Sequence, residues 1–66
     1  MKSGGIKFRE TSRVLRRNGW DHESTKGSHA KFKKGDRTIV VCANSDGTHP
    51  LVWRRIVKEN NLDIRA

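Results

Sequence analysis

Gly27-Ser28-His29 stands directly before a short stretch, residues 30–33, in which apolar and charged side chains alternate. Alternation with a period of two is typical of a half-buried strand, because successive side chains point to opposite faces. Since the apolar side chains belong in a core, His29 is predicted to point outward together with Lys31 and Lys33. A histidine exposed among cations on a rigid strand suits proton transfer at a phosphodiester. The residue types alone leave open the alternative of an ordinary solvated histidine. The side chains predicted to point inward on this strand are Ser28, Ala30 and Phe32.

The charge of the chain indicates an anionic partner. Fifteen Lys and Arg residues against seven Asp and Glu residues give a formal net charge of +8 in 66 residues, enough for one small domain with a modest core. Nucleic acid is the first candidate partner, and a membrane surface or an acidic protein are the alternatives. No apolar stretch approaches the length of a membrane span, and no signal-peptide pattern is present. The single cysteine, Cys42, cannot form an internal disulfide, so a cytoplasmic location is expected.

The first third of the chain predicts a flexible lead over residues 1–5 and a helix over residues 7–18, ended by Asn18-Gly19. Its narrow apolar stripe is too small to insert into a membrane, which argues against a membrane partner. A second stripe of arginines follows the same helical spacing and is predicted to face an anion, RNA phosphate or an acidic protein. A solvated polar face is the alternative. The apolar stripe consists of Phe8, Thr11, Val14 and Leu15, and the arginine stripe of Arg9, Arg13, Arg16 and Arg17.

The remainder of the chain predicts three strands and a second helix. A weakly patterned strand runs over residues 20–24, residues 25–27 connect it to the strand that carries His29, and residues 34–36 form a hairpin. The third strand, 38–43, is a continuous β-branched run that suits a central or helix-covered position, with Cys42 as a small core residue. Residues 44–48 form a loop, and a helix from Pro50 to about residue 60 follows, capped by Thr48 or His49. Its core side is predicted to consist of Val52, Trp53, Ile56 and Val57.

Metal and nucleophile chemistry are disfavoured by the spacing of the candidate side chains. The three histidines and Cys42 lack the close pairs typical of zinc sites, so no metal and no cofactor are predicted. Ser28 adjoins His29, but neighbours on a strand point to opposite faces and should not hydrogen-bond directly.

Asn18-Gly19-Trp20 at the end of the first helix, then Lys26-Gly27-Ser28-His29, then Phe32, resemble the HicA family of bacterial mRNA interferase toxins. The segment 56–62 is similar to the last helix of that family, and the resemblance covers residues 7–62. It implies an α+β fold like that of a double-stranded-RNA-binding domain, with two helices on one face of a three-stranded antiparallel sheet. It further implies that His29 is the catalytic residue of an endoribonuclease, encoded by a bacterium or phage in a type II toxin–antitoxin system with an acidic antitoxin of the HicB kind. Cys42-Ala43-Asn44 replaces the Pro-x-His of many members, so no second catalytic residue is transferred.

A metal-independent mechanism follows for RNA, which supplies its own nucleophile, the 2′-hydroxyl. His29 would take the 2′-hydroxyl proton as general base, and Lys26, Lys31 or Lys33 would stabilise charge on the phosphorane. The alternative function is a non-catalytic RNA-binding module of the same fold. The predicted RNA-binding residues are Lys26, Gly27, Ser28, Lys31, Lys33, Arg9, Arg13, Arg16 and Arg17.

Overall fold

The computed structural model describes residues 5–64, which form an α-β-β-β-α domain. The three strands form one antiparallel sheet in the order β1-β2-β3. The predicted α+β class and element order are therefore confirmed. The predicted flexible lead lies outside the described residues except for Gly5. The elements are α1 (Phe8–Arg17), β1 (Asp21–Lys26), β2 (His29–Lys34), β3 (Arg37–Cys42) and α2 (Pro50–Glu59).

Two-residue turns join the strands and set their register. Gly27-Ser28 and Gly35-Asp36 each begin with a glycine at positive φ, 58° and 59°, followed by a residue without one, as in type II′ hairpins. Such tight turns leave Lys26 in β1, paired with His29. The prediction that residues 25 and 26 belong to the connection was therefore wrong.

A β-bulge explains why β1 shows no clean alternation in the sequence. The pairing passes from His22 opposite Phe32 to Ser24 opposite Lys31, which leaves Glu23 as an extra residue. An inserted residue reverses the alternation of side chains beyond it. All six residues of β1 are exposed, which suits a polar edge strand.

One hydrophobic core lies on the helix-covered face of the sheet. Phe32 and Ala30 of β2 are fully buried there, and both helices and the segments after them contribute to the same cluster. One expectation was wrong, because the exposed Val52 is not part of the core side of α2. Of the two positions expected for the third strand, the central one is excluded, since β3 lies at the edge of the sheet. The helix-covered one holds for the face of Ile39 and Val41, which are buried in the core. The core consists of Val14, Leu15, Trp20, Ala30, Phe32, Ile39, Val41, Trp53 and Leu62.

Both helices end in the same backbone motif, and each motif delivers an apolar residue to the core. After α1, the Trp20 N–H donates to the Leu15 carbonyl at 2.9 Å, and Gly19 has φ 88°. After α2, the Leu62 N–H donates to the Val57 carbonyl at 3.0 Å. This is the Schellman arrangement, in which the residue beyond the left-handed position packs back on the helix. The predicted stops, and the apolar contact of Leu62, are confirmed.

Candidate nucleic-acid interface

The face of the sheet opposite the helices carries His29 and several lysines, and is called the open face below. Directly opposed residues of antiparallel strands share a face, so the pairing defines three rows across it. The rows are Lys26–His29–Cys42, Ser24–Lys31–Val40 and Asp21–Lys33–Thr38. His29, Lys31 and Lys33 are exposed, whereas Ala30 and Phe32 are buried on the other face. The outward orientation predicted for His29 is what the structure shows.

His29 is held at the first position of β2 by neighbours on both sides. Lys26 of β1 is its partner across the Gly27-Ser28 turn, and Cys42 of β3 is its partner on the other side. The Ser28 carbonyl accepts the Ala43 N–H at 2.7 Å, which extends the β2–β3 ladder past the site. Gly27 has open space around its Cα, because a Cβ there would meet nothing within 4 Å. Gly27 and His29 are both exposed, so the turn and the imidazole lie at the surface.

The lysines of the open face have no ion-pair partner in the described part of the chain. The ion pair found there joins Arg55 and Glu59 on α2. Lys34 offers a useful contrast. It follows Lys33 and lies on the helix side, where its ammonium donates to the Asn18 carbonyl at 2.8 Å. Lys34 thus stabilises the end of α1, a position that favours cations. Lys26, Lys31 and Lys33 remain available for an external anion.

Cys42 and Val40 belong to the open face, which the sequence reasoning missed. Val41 is buried among core residues, so its two neighbours in β3 point the other way. Cys42 is half-buried and stands opposite His29, and Val40 is 46% exposed. The expectation of a core role for Cys42 was wrong. Because all of residues 39–42 are apolar, the sequence does not show which of them face the core. The pairing of β3 with β2 does.

The arginines of α1 lie on the other layer of the molecule. Arg9, Arg13, Arg16 and Arg17 are all exposed, while Thr11, Val14 and Leu15 of the same helix are buried against the sheet. Since α1 packs on the face opposite His29, the two groups of predicted RNA-binding residues do not converge. The structure brings Lys26, Lys31 and Lys33 together around His29, and it separates the arginines from them.

The other two histidines have structural contacts. His22 lies on the helix side, with its ring stacked on Phe32 at a centroid distance of 4.9 Å and its Nε2 2.6 Å from the Thr25 hydroxyl. His49 caps α2, because its Nδ1 accepts the Leu51 N–H at 3.1 Å. Thr48, the other predicted cap, instead accepts the Cys42 N–H through its hydroxyl at 3.1 Å. Among residues 5–64, no three His, Cys, Asp or Glu side chains are grouped as a metal site requires.

The fold and this site define a small basic α+β domain with one cationic sheet face left uncovered around a histidine. A family model described as the HicA toxin of bacterial toxin–antitoxin systems matches residues 8–62, which is most of the chain. The chain therefore belongs to the HicA toxin family. The resemblance noted from Gly27-Ser28-His29 and its neighbours is thereby confirmed. The searches of curated proteins and of solved structures found no match. Within residues 5–64, no helix is long and apolar enough to cross a membrane.

Proposed function

We propose that this toxin is a metal-independent endoribonuclease that cleaves mRNA in the cytoplasm, with His29 as general base. The observation that carries the proposal is the position of His29, exposed on a rigid strand and surrounded by unpaired lysines on the only sheet face that the helices leave uncovered in residues 5–64. An mRNA strand is a polyanion, and a cationic surface of this kind attracts it whatever its sequence.

The chemistry needs few protein groups because the RNA carries its nucleophile. His29, as neutral imidazole, takes the proton of a 2′-hydroxyl, and the 2′-oxygen then forms a bond to the adjacent phosphorus. The bond from phosphorus to the 5′-oxygen of the next nucleotide breaks, and that oxygen takes up a proton from water. The products are a 2′,3′-cyclic phosphate and a 5′-hydroxyl end. No electron transfer or co-reactant is required.

The lysines stabilise the negative charge that develops on the phosphate during this reaction. Lys26 is the cross-strand neighbour of His29, and Lys31 is two residues further along the same strand and face. Ammonium groups on either side of the imidazole stabilise negative charge on the equatorial phosphorane oxygens. Lys33, at the far end of β2, holds a neighbouring phosphate, and the accessible backbone at Gly27 and Ser28 lets the strand approach.

Control of the toxin comes from an acidic antitoxin of the HicB kind that covers the open face. The lysine rows provide charge complementarity, which speeds association and fixes orientation. Val40, between them, provides an apolar contact of the kind found at the centre of protein interfaces. An antitoxin seated there excludes RNA from His29.

The test compares the same substitution at two exposed histidines, His29→Asn and His49→Asn. Asparagine preserves a cap at position 49 and changes an exposed side chain at position 29, so both variants should fold. Cleavage of a long RNA should fall by about 10²- to 10⁴-fold for His29→Asn and remain unchanged for His49→Asn. Equal activity of His29→Asn and wild type, or loss of wild-type activity in EDTA, would contradict the mechanism.

The same variants separate catalysis from antitoxin binding in cells. Wild type expressed alone should arrest growth and degrade mRNA, and co-expression of the neighbouring gene should restore growth. His29→Asn should be harmless alone and still co-purify with the product of that gene. If wild type at high level leaves growth and RNA unaffected, the chain is a non-catalytic RNA-binding module instead.

A further inference from the structure

The outer face of α1 forms a second cationic region, which we call the arginine surface: Arg9, Arg13, Arg16 and Arg17. Positions separated by three, four and seven or eight residues lie on one side of a helix. All four side chains are exposed, and the buried Thr11, Val14 and Leu15 occupy the opposite side of the helix. The row extends over about 12 Å of helix. It points away from the sheet, and therefore away from His29.

The arginine surface is not neutralised within the described residues. None of its four guanidinium groups has an ion-pair partner among residues 5–64, although Glu10 belongs to the same helix. Four unpaired guanidinium groups in one row repel each other, an arrangement that costs stability unless an anion binds. Guanidinium groups offer paired N–H donors that match the oxygens of a phosphate group.

The surroundings of the arginine surface favour a phosphate backbone over a protein partner. The centre of a stable protein interface combines arginine with apolar and aromatic side chains, and the four-arginine row offers arginine only. The exposed apolar side chains Val40, Leu51 and Val52 belong to β3 and α2. Ile64 lines a cleft of about 260 Å³ with Arg9 and Arg13, at one end of the row only. Phosphate contacts require no such anchor, since the gain comes from charge and counterion release.

We propose that the arginine surface is a second RNA-binding site, which holds the phosphate backbone of the same long RNA that the open face cleaves. This inference rests on the endoribonuclease function proposed above and assigns it two separate contact regions. A strand that occupies both must pass around an edge of the sheet, and even the shortest principal extent of the molecule is 18 Å. The two contacts act together by raising the effective RNA concentration at His29.

RNA length is the variable that distinguishes a second site from an extension of the first. A three-nucleotide RNA is about 10 Å long, at ~3.4 Å per nucleotide. That is shorter than the smallest extent of the molecule, 18 Å, so it cannot contact His29 and also reach around to α1. A 40-nucleotide RNA reaches both surfaces. The arginine surface should therefore contribute to binding and cleavage of the long RNA and contribute nothing for the short one.

The experiment compares two double variants with the same loss of charge. Arg13→Gln with Arg17→Gln changes the arginine surface, and Arg54→Gln with Lys58→Gln removes two exposed cations from α2. Glutamine is a good helix former, so both should fold. Cleavage of a three-nucleotide and a 40-nucleotide RNA is measured. Binding of each RNA, and of the antitoxin, to the His29→Asn forms is measured over a range of salt concentrations.

The arginine-surface variant should cleave the short RNA within twofold of wild type and bind the long RNA at least tenfold more weakly. Its salt slope for the long RNA should fall by about 1.4, since each single-strand phosphate contact contributes roughly 0.7. The α2 variant should reduce the affinity for the long RNA and its salt slope by less than the arginine-surface variant does. Equal losses on short and long RNA would place the arginines in the catalytic contact region and overturn the proposal. Unchanged RNA binding with weakened antitoxin binding would overturn it in favour of a protein contact. Because binding is measured without cleavage, an inactive wild type would refute the nuclease function but leave the test of the second site intact.

Discussion

Replacing Gly47 by alanine is expected to destabilise the domain more than replacing any other glycine at positive φ within residues 5–64. Gly47 is buried in the loop before α2, with φ 76°. A Cβ at this position would overlap the carbonyl group of Ile6. That carbonyl accepts the Thr48 N–H at 2.8 Å, and the Ile6 N–H donates to the Thr48 carbonyl at 2.7 Å. The added methyl group would therefore disrupt the backbone bridge that attaches the chain before α1 to the start of α2.

The magnitude follows from two contributions. A residue with a Cβ in the left-handed region costs roughly 1–2 kcal/mol. Loss of the two backbone hydrogen bonds adds about 0.5–1.5 kcal/mol each. Gly47→Ala should therefore lower the free energy of unfolding by roughly 2–5 kcal/mol, which for a domain of this size lowers Tm by about 4–8 °C per kcal/mol.

Gly35→Ala is the matched control because it isolates the backbone contribution. Gly35 has φ 59°, and a Cβ there would meet nothing within 4 Å. Its cost should be that of placing a Cβ at positive φ alone, roughly 1–3 kcal/mol. Thermal and urea unfolding of both variants, followed by circular dichroism, measure the difference. If Gly47→Ala is no less stable than Gly35→Ala, the Ile6–Thr48 bridge does not hold the two segments together and the reasoning fails.

Substitutions at two positions, His49 and Asn18, test the roles assigned to polar side chains at the helix ends. His49→Ala should lower the free energy of unfolding by about 1 kcal/mol through loss of the cap on α2, while RNA cleavage per folded molecule stays at the wild-type level; His49→Asn should recover most of the loss. Asn18→Ala should cost roughly 1–3 kcal/mol, because Asn18 accepts the Asp63 N–H at 2.9 Å and donates to the Asp63 carbonyl at 3.0 Å. Denaturant titrations measure both. A silent Asn18→Ala would show that the two Asn18–Asp63 hydrogen bonds do not hold the segment after α2 in place.

Local patterns in the sequence predicted much of the fold because local rules determine those features. The alternation of residues 29–33 gave the correct orientation of His29, and the apolar stripe of α1 gave the helix to within one residue at each end. The helix stops at Asn18-Gly19 and Asn60-Asn61 were also correct, since left-handed positions favour Gly and Asn. Each of these features depends on residues close in sequence.

The sequence predictions failed at features that depend on how a strand pairs with its neighbour in the sheet. Glu23 looks like any other polar residue, and only the pairing of β1 with β2 identifies it as the bulge. The run from Ile39 to Cys42 resembles a strand buried on both faces, yet β3 is an edge strand with Val40 exposed. A strand with one covered face tolerates apolar residues on both, so composition cannot distinguish the two cases. Cys42 was consequently assigned to the core when it stands beside His29.

No sequence pattern predicts how the lysines of the sheet and the arginines of α1 are placed relative to each other. Periodicity shows that Lys31 and Lys33 share one face of a strand and that Arg13 and Arg17 share one side of a helix. It does not show which face of the sheet the helix covers. Packing decides this, because the buried side of α1 must meet Phe32 and the other inward residues of β2, which puts α1 behind the face that carries His29. The inward orientation of Phe32 therefore places α1, with its arginines, on the side of the sheet opposite His29. The lysines and the arginines therefore form two cationic surfaces on opposite sides of the domain, and we expect RNA length to distinguish their contributions.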